Sequence, residues 1–434
     1  MVQKREIFTS KVSMILTMIG VSIGLGNVWR FPYMMGKYGG SAFLFVYLFF
    51  TFALAIPAVM AEWALGRSTR KGPIGAFSAV AGPVPGKILG YLLLFTVLIA
   101  NSYYLVVIAN VVYTGVFSMT YGFDENNFEL FQTGLNDGVL QYQIAVGTLL
   151  ASLFVIHRGL NKGIETVSKL FVPFFTVTLM YLVFNAFFLE GAPAKFALFL
   201  KPDFSAMHPR QIFAALGQAA FSLGLGGTFL LIYGSYLKDD ADIPKSAIIT
   251  GLGDASAALL AGLFVIPSIL VFDLDMAAGP GLIFSTLPKL FSVMPAGRLI
   301  GSLFMAALFV VAFLSNVAAL EVLAGGINDG RKQPLSRTRI VVFIGFLEAG
   351  LILPSALHPP LIGTLDLIFG SAMQMFGSAM AVLGVAWGLG QAKALQEIFG
   401  GEHTVWHRLY YFWIRWLVPG VLLIVLASYI YTSI

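Results

Sequence analysis

The sequence predicts an all-α integral membrane protein, built as an inverted repeat of two five-helix units with eleven transmembrane helices, the first and sixth of them broken. Three observations predict it. The 434 residues are 58% hydrophobic and only 11% charged, with a mean hydropathy of +0.86, whereas a soluble globular domain carries roughly 25% charged residues. Eleven apolar runs are long enough to cross about 30 Å of hydrocarbon, near 12–32, 41–65, 87–116, 139–156, 168–189, 211–236, 247–272, 299–325, 338–355, 362–389 and 407–431. Two nearly identical phrases, Ser22-Ile23-Gly24-Leu25-Gly26 and Ser222-Leu223-Gly224-Leu225-Gly226, interrupt the first and sixth runs. An unpaired backbone group costs several kcal/mol in hydrocarbon, so glycine breaks at corresponding places in two halves point to a transporter's midplane binding site.

The halves follow from the count. Runs one to five occupy 1–190 and runs six to ten occupy 191–390, leaving 391–434 for a loop and an additional helix. Five helices per half start successive halves on opposite sides of the membrane, the parity of an inverted repeat. The third and tenth runs are long enough to tilt or to project from the bilayer. Segments 190–209 and 273–292 read as external loops, the second carrying Asp273-Leu274-Asp275 and Gly279-Pro280-Gly281.

In the first run, Gly20, Gly24 and Gly26 weaken helix continuity by about 1 kcal/mol each against Ala, and Asn27 offers both a carbonyl and an amide. Unwinding there frees carbonyls for sodium, a hard cation preferring oxygen, and turns N–H groups and a positive helix end toward a carboxylate. A glycine-mediated helix contact is the alternative; Asn27 favours binding. Ser22 and Ser222 are either hydroxyl ligands or bonded to their own preceding turns. Arg30 closes the first run before Phe31-Pro32, with Gln218 or Asp366 as candidate partners. Glu62 ends the second run, where it either ties packed helices together or anchors at the interface. Tyr103-Tyr104 in the third run place phenolic hydroxyls near mid-depth; an aromatic belt at the interface is the alternative, which their central placement disfavours.

The sixth run carries Gly224, Gly226 and Gly227, which leave space for a ligand or a close backbone approach. Asp254 sits deep in the seventh run. Ser315-Asn316 present adjacent oxygen-bearing side chains in the eighth, followed by Glu321. Intramembrane charges are costly, so Glu62, Asp254 and Glu321 are functional or structural ties rather than ornaments of the surface.

Basic residues fix the orientation. Lys4, Arg5 and Lys11 precede the first run, Arg67, Arg70 and Lys71 follow the second, Arg158 and Lys162 lie between four and five, and Arg331, Lys332, Arg337 and Arg339 between eight and nine. The loop between three and four carries Asp124, Glu125, Glu129 and Asp137 instead. The positive-inside rule therefore predicts an inner-membrane protein with a cytoplasmic N-terminus and an external C-terminus. The first segment lacks a signal-peptide pattern and reads as a retained functional helix. Absence of cysteine excludes thiol catalysis. No phosphate loop, histidine cluster, hydrolase nucleophile or nucleic-acid motif occurs, so no enzyme is expected and coupling to an ion gradient is favoured over hydrolysis. An ion channel and a non-transporting receptor or scaffold are the rival classes.

The stretch Gly20-Val21-Ser22-Ile23-Gly24-Leu25-Gly26-Asn27-Val28-Trp29-Arg30-Phe31-Pro32 strongly resembles the first helix of the neurotransmitter:sodium symporter family. Gly39-Gly40-Ser41-Ala42-Phe43, Glu62-Trp63-Ala64-Leu65-Gly66-Arg67, Tyr103-Tyr104, Gly217-Gln218-Ala219-Ala220-Phe221-Ser222-Leu223-Gly224 and Tyr233-Gly234-Ser235-Tyr236 match its further signatures in order. The resemblance implies sodium-driven amino-acid import by alternating access, with Na+ as the coupled ion, and a free amino acid, sodium and the lipid bilayer as partners. It assigns a first sodium to the Ser22 carbonyl, Asn27, Ser222 and the substrate carboxylate. A second falls to Gly20, Ile23, Ala312, Ser315 and Asn316. It lines the substrate site with Val21, Ser22, Gly24, Gly26, Ala100, Tyr104, Phe221, Ser222, Gly224, Gly227, Asn316 and Leu320. Phe221 becomes an aromatic lid below Arg30, Gln218 and Asp366, and Arg5 with Asp329, Ser235 and Tyr236 forms the cytoplasmic gate. Asn316 stands where many relatives have serine. Asp254 stands near a position where the family's usual asparagine is missing; it either supplies an oxygen near the first sodium or provides the negative charge that chloride supplies in animal relatives, and the second role is favoured, making transport chloride-independent. Gly224 and Gly227 leave volume that suits a hydrophobic or aromatic amino acid, each buried methylene contributing roughly 0.8 kcal/mol.

Overall fold

The computed structural model describes residues 6–275, 281–329, 335–401 and 404–433 and contains helices and connecting turns, with no strand among them. Nine helices among the described residues are long and apolar enough to cross a membrane, ten when one bent pair is taken as a single span. That pair is α1 (Lys11–Ser22) and α2 (Gly26–Lys37), which meet at 59°. Then come α3 (Ser41–Thr69), the short α4 (Pro73–Ala81), α5 (Pro85–Thr120), α6 (Gly138–His157) and α7 (Leu160–Phe187). The sixth predicted run divides into α8 (Pro209–Ser222) and α9 (Phe229–Gly234), with residues 223–228 outside helix. Beyond it lie α10 (Ile243–Val271), α11 (Gly297–Ile327), α12 (Arg337–Leu357), α13 (Pro360–Leu389), α14 (Gln391–Phe399) and α15 (Val405–Ser428).

Helix starts follow the local chemistry. Ser10 accepts from the Ser13 N–H ahead of α1, Asp137 from Val139 and Leu140 ahead of α6, and Asp242 from Lys245 ahead of α10. Each satisfies donors that a helix end leaves unpaired. α5 runs for 36 residues, about 54 Å at 1.5 Å per residue, long enough to tilt across or to project beyond about 30 Å of hydrocarbon. α11, with 31 residues, and α13, with 30, are comparably long. The loops read as external carry helices of their own, Ala192–Phe199 and Leu282–Val293; Gly279-Pro280 lies outside the described residues.

The apolar windows of α11, α10 and α5 are 78%, 67% and 61% buried, against 33% for α7 and α15. These three long helices are therefore the most deeply buried spans, and α7 and α15 lie at the rim. Rim side chains such as Phe346 and Trp406 are exposed, as expected where hydrocarbon is the solvent and tails are as apolar as leucine. α9 sits against α3 through backbone contact. A Cβ on Gly66 would fall 2.0 Å from the Leu231 carbonyl oxygen, so the missing side chain sets that spacing. This close approach brings the second break beside α3 and its buried acid.

Candidate functional site

The first break is held open by one side chain. Ile23 is extended at φ −69°, ψ 120°, ending α1, and the Gly24 N–H donates to Asn27 Oδ1 at 3.1 Å. From the other end of the same amide, Asn27 Nδ2 donates to Ser222 Oγ at 2.8 Å, to Asp254 Oδ1 at 2.7 Å and to the Asp254 carbonyl at 3.2 Å. Ser222 Oγ donates to Asp254 Oδ2 at 2.6 Å. Asn27, Ser222 and Asp254 are all buried. The first break, the end of α8 and the middle of α10 thus converge on one carboxylate. Tyr47 adds a hydroxyl 3.4 Å from Ser222 Oγ; it was not legible in a run of aromatic residues, where a lone phenol carries no signal.

These oxygens form a cage around the Asn27 amide. A cation placed among them would meet Ser222 Oγ, an Asp254 oxygen and, with the amide turned, Asn27 Oδ1. Hard cations of this kind take oxygen ligands. The donors to Asp254 here, Asn27 Nδ2 and Ser222 Oγ, are neutral groups, so an ionised Asp254 would add its negative charge to that set.

Ser22 resolves to the local alternative as far as its hydroxyl is concerned: Oγ donates to the Met18 carbonyl at 3.0 Å. Its own carbonyl, at the frayed end of α1, is the atom assigned to sodium. On the other side of the break, Ser315 Oγ donates to the Ile23 carbonyl at 3.3 Å. It also lies 3.2 Å from the place a Gly24 Cβ would occupy, with the Tyr104 hydroxyl 3.9 Å from it. Gly20 packs on Leu314 and Val172, and Ala312 is buried one turn before Ser315. Ser315, Ala312, Gly20 and Ile23 therefore share the α1–α11 contact. Asn316 turns elsewhere: Nδ2 donates to Ser152 Oγ of α6 at 2.5 Å, while Oδ1 is buried without a donor.

The second break uses left-handed glycines. Gly224 and Gly227 both have φ +68°, a conformation that other residues adopt only with strain. A Cβ on Gly224 would lie 4.0 Å from the Val21 carbonyl, and one on Gly227 only 2.4 Å from the Gly377 carbonyl of α13. Two buried backbone donors freed by this break are satisfied by Glu62, whose Oε1 accepts from Gly226 N–H at 3.1 Å and Oε2 from Gly227 N–H at 3.0 Å. Of the two roles read for Glu62, the structure supports the tie between helices. Ala100 borders a small cavity with Gly226, Phe229 and Phe369, and Leu320 is buried in the α11 core.

Above the cluster, Phe221 lies against Gly26 so closely that a Cβ there would fall 2.5 Å from the ring. The Arg30 guanidinium covers that ring at 4.6 Å, a cation–π contact. Gln218 Nε2 donates to the Gly26 carbonyl at 3.2 Å. Asp366 Oδ1 accepts from the Tyr103 hydroxyl at 3.0 Å and lies within the field of Arg30. Tyr103 and Tyr104 thus serve different ends, the first at the Arg30 layer and the second at the break.

The opposite end of the bundle is also tied. Tyr236 donates to Glu321 Oε1 at 2.5 Å, and Arg337 Nη2 donates to Glu321 Oε2 at 2.5 Å. Phe8 N–H donates to the Tyr236 carbonyl at 3.1 Å, and its ring packs edge-on against Tyr236. Ser235 Oγ bonds the Ile232 carbonyl in its own turn. Asp329 accepts from Gly72 N–H and Gly75 N–H, both at 3.1 Å, capping α4. Arg5 lies outside the described residues. The Tyr236–Glu321–Arg337 link has no local signature in sequence, because it joins side chains from two helices and the turn after a third.

A family model described as the sodium:neurotransmitter symporter family matches residues 5–128 and 122–433. An uncharacterized sodium-dependent transporter of Haemophilus influenzae is 26% identical, over 98% of this chain and 98% of its own. Another from Methanocaldococcus jannaschii is 32% identical over 79% of this chain and 73% of its own. Among solved structures, MhsT in complex with L-phenylalanine is 30% identical and superposes with a TM-score of 0.87, covering 98% of this chain and 100% of that one. The chain belongs to the sodium:neurotransmitter symporter family; it is a multi-pass membrane protein and a sodium-dependent transporter, with Na+ as the coupled ion.

Proposed function

We propose that this member of the sodium:neurotransmitter symporter family imports hydrophobic or aromatic amino acids together with sodium, by alternating access and without a need for chloride. The observation that carries the proposal is the cluster in which Asn27 and Ser222, one from each break, meet the buried Asp254 carboxylate. One sodium sits there, bound by the Ser22 carbonyl, Asn27, Ser222 and the substrate carboxylate. Asp254 supplies the negative charge, which removes the need for an anion. A second sodium lies between Gly20 and Ile23 on one side and Ala312 and Ser315 on the other, without Asn316, whose side chain is turned to Ser152.

The substrate carboxylate faces the start of α2 and the Tyr104 hydroxyl. Its side chain extends toward Val21, Gly224 and Leu320, with Ala100 as a further wall; Gly227 takes no part, because the Gly377 carbonyl fills the space beside it. The phenylalanine bound by MhsT supports a substrate of this size and polarity. Phe221 and Arg30 close over it, with Gln218 and Asp366 beside them. Closure there accompanies opening at the Tyr236 end, where Ser235, Asp329 and Arg5 form the inner gate. In this reading the N-terminus is cytoplasmic, the C-terminus external, and the membrane is the inner one. The chain divides into halves 1–190 and 191–390 with 391–434 beyond them.

The test is uptake of labelled phenylalanine into proteoliposomes with an inward sodium gradient in chloride-free buffer. Accumulation above the external concentration, lost when the gradient is collapsed, is expected. Uptake that merely equilibrates, or that needs chloride, contradicts the proposal.

A further inference from the structure

Another buried acid lies away from both breaks. Glu348, in the middle of α12, is fully buried, as is Asn101 of α5. Asn101 Nδ2 donates to Glu348 Oε1 at 3.0 Å. The two remaining oxygens of the pair, Glu348 Oε2 and Asn101 Oδ1, are both buried and both lack a donor. Among the described residues Glu348 takes part in no ion pair.

The polar and charged groups of the neighbouring helices are engaged elsewhere. On α6, the Tyr142 hydroxyl donates to the Ala349 carbonyl at 3.2 Å, and Gln141 Nε2 donates to the Gly134 carbonyl at 2.9 Å. On α11, Glu321 is engaged by Tyr236 and Arg337. Arg337 itself begins α12, about 16 Å along the axis from Glu348 at 1.5 Å per residue. On α13, Asp366 takes the Tyr103 hydroxyl.

A carboxylate without a counter-charge is costly inside a membrane protein, and two orphaned acceptors add to that cost. One hydrogen removes both problems. With Oε2 protonated, its O–H donates to Asn101 Oδ1 while Asn101 Nδ2 donates to Oε1, closing a ring of two hydrogen bonds.

We infer that Glu348 and Asn101 form a proton-binding site, in which the α12 carboxyl takes up one proton from solution and shares it with the α5 amide. The ligand is the proton; no other bond forms or breaks. Tyr104 follows Asn101 by three residues on α5, so the proton is held by the helix that presents the Tyr104 hydroxyl to the first break. Release of the proton leaves a bare carboxylate between α5 and α12 and requires water to enter that contact.

The test is infrared difference spectroscopy of the full chain in lipid at neutral pH, comparing wild type with Glu348→Gln. Loss of one protonated-acid carbonyl band in the variant is expected. Loss of carboxylate bands alone overturns the inference. Should Glu348→Gln fail to fold, Asn101→Ala serves: the Glu348 acid band must shift, since its carbonyl and hydroxyl both lose their partner, and an unshifted spectrum overturns the inference equally.

Discussion

Asn27→Ala is expected to lower sodium-dependent substrate affinity by about 10- to 150-fold while leaving a folded protein. The side chain spans the first break and the Ser222–Asp254 pair, making one acceptor and three donor contacts. Hydrogen bonds to a charged group contribute about 1.5–3 kcal/mol each, and 1.4 kcal/mol is tenfold in affinity. Losing the amide costs the cage one cation ligand and costs the break its Gly24 N–H partner. The measurement is binding of labelled phenylalanine across a sodium titration. A wild-type sodium response in a variant of normal stability would remove Asn27 from the site.

Asp254→Ser is expected to reduce transport in chloride-free buffer by at least about a hundredfold, and added chloride should restore a large part of it. Unit charges about 4 Å apart attract by about 4 kcal/mol at an effective dielectric near 20. Removing the carboxylate that the protein itself contributes to the cluster therefore weakens sodium binding severely. Serine also vacates volume beside Tyr47 and Ser222, whose hydroxyls can donate to an anion. Uptake is measured with gluconate or chloride as the sole anion. Transport that survives in gluconate, or that chloride fails to rescue, contradicts the assigned role of this carboxylate.

Much of the site was legible because it rests on backbone chemistry that leaves a mark in sequence. Glycines at 24, 26, 224 and 227 mark where hydrogen bonding along a helix fails, and Asn27, Ser222 and Asp254 are rare polar groups in apolar runs. Arg30 and Phe221 were placed together from the same motifs, and the structure stacks one on the other. Legibility ended where a role depends on a partner far away in the chain. Glu348 and Asn101 are 247 positions apart, and Asn316 meets Ser152 across 164; neither pairing has a local signature. Ser22 shows the opposite limit. Its hydroxyl bonds its own helical turn, an option open to any serine in a helix, so the residue type identified the position but not the atom.

The central claim is that sodium and substrate occupy one shared cluster between the two breaks. Shared binding makes the coupling reciprocal. In detergent, with no gradient, sodium should raise the affinity for phenylalanine, and phenylalanine should raise the affinity for sodium by the same factor. Phenylalanine binding that is equally tight in sodium and in potassium would contradict the account.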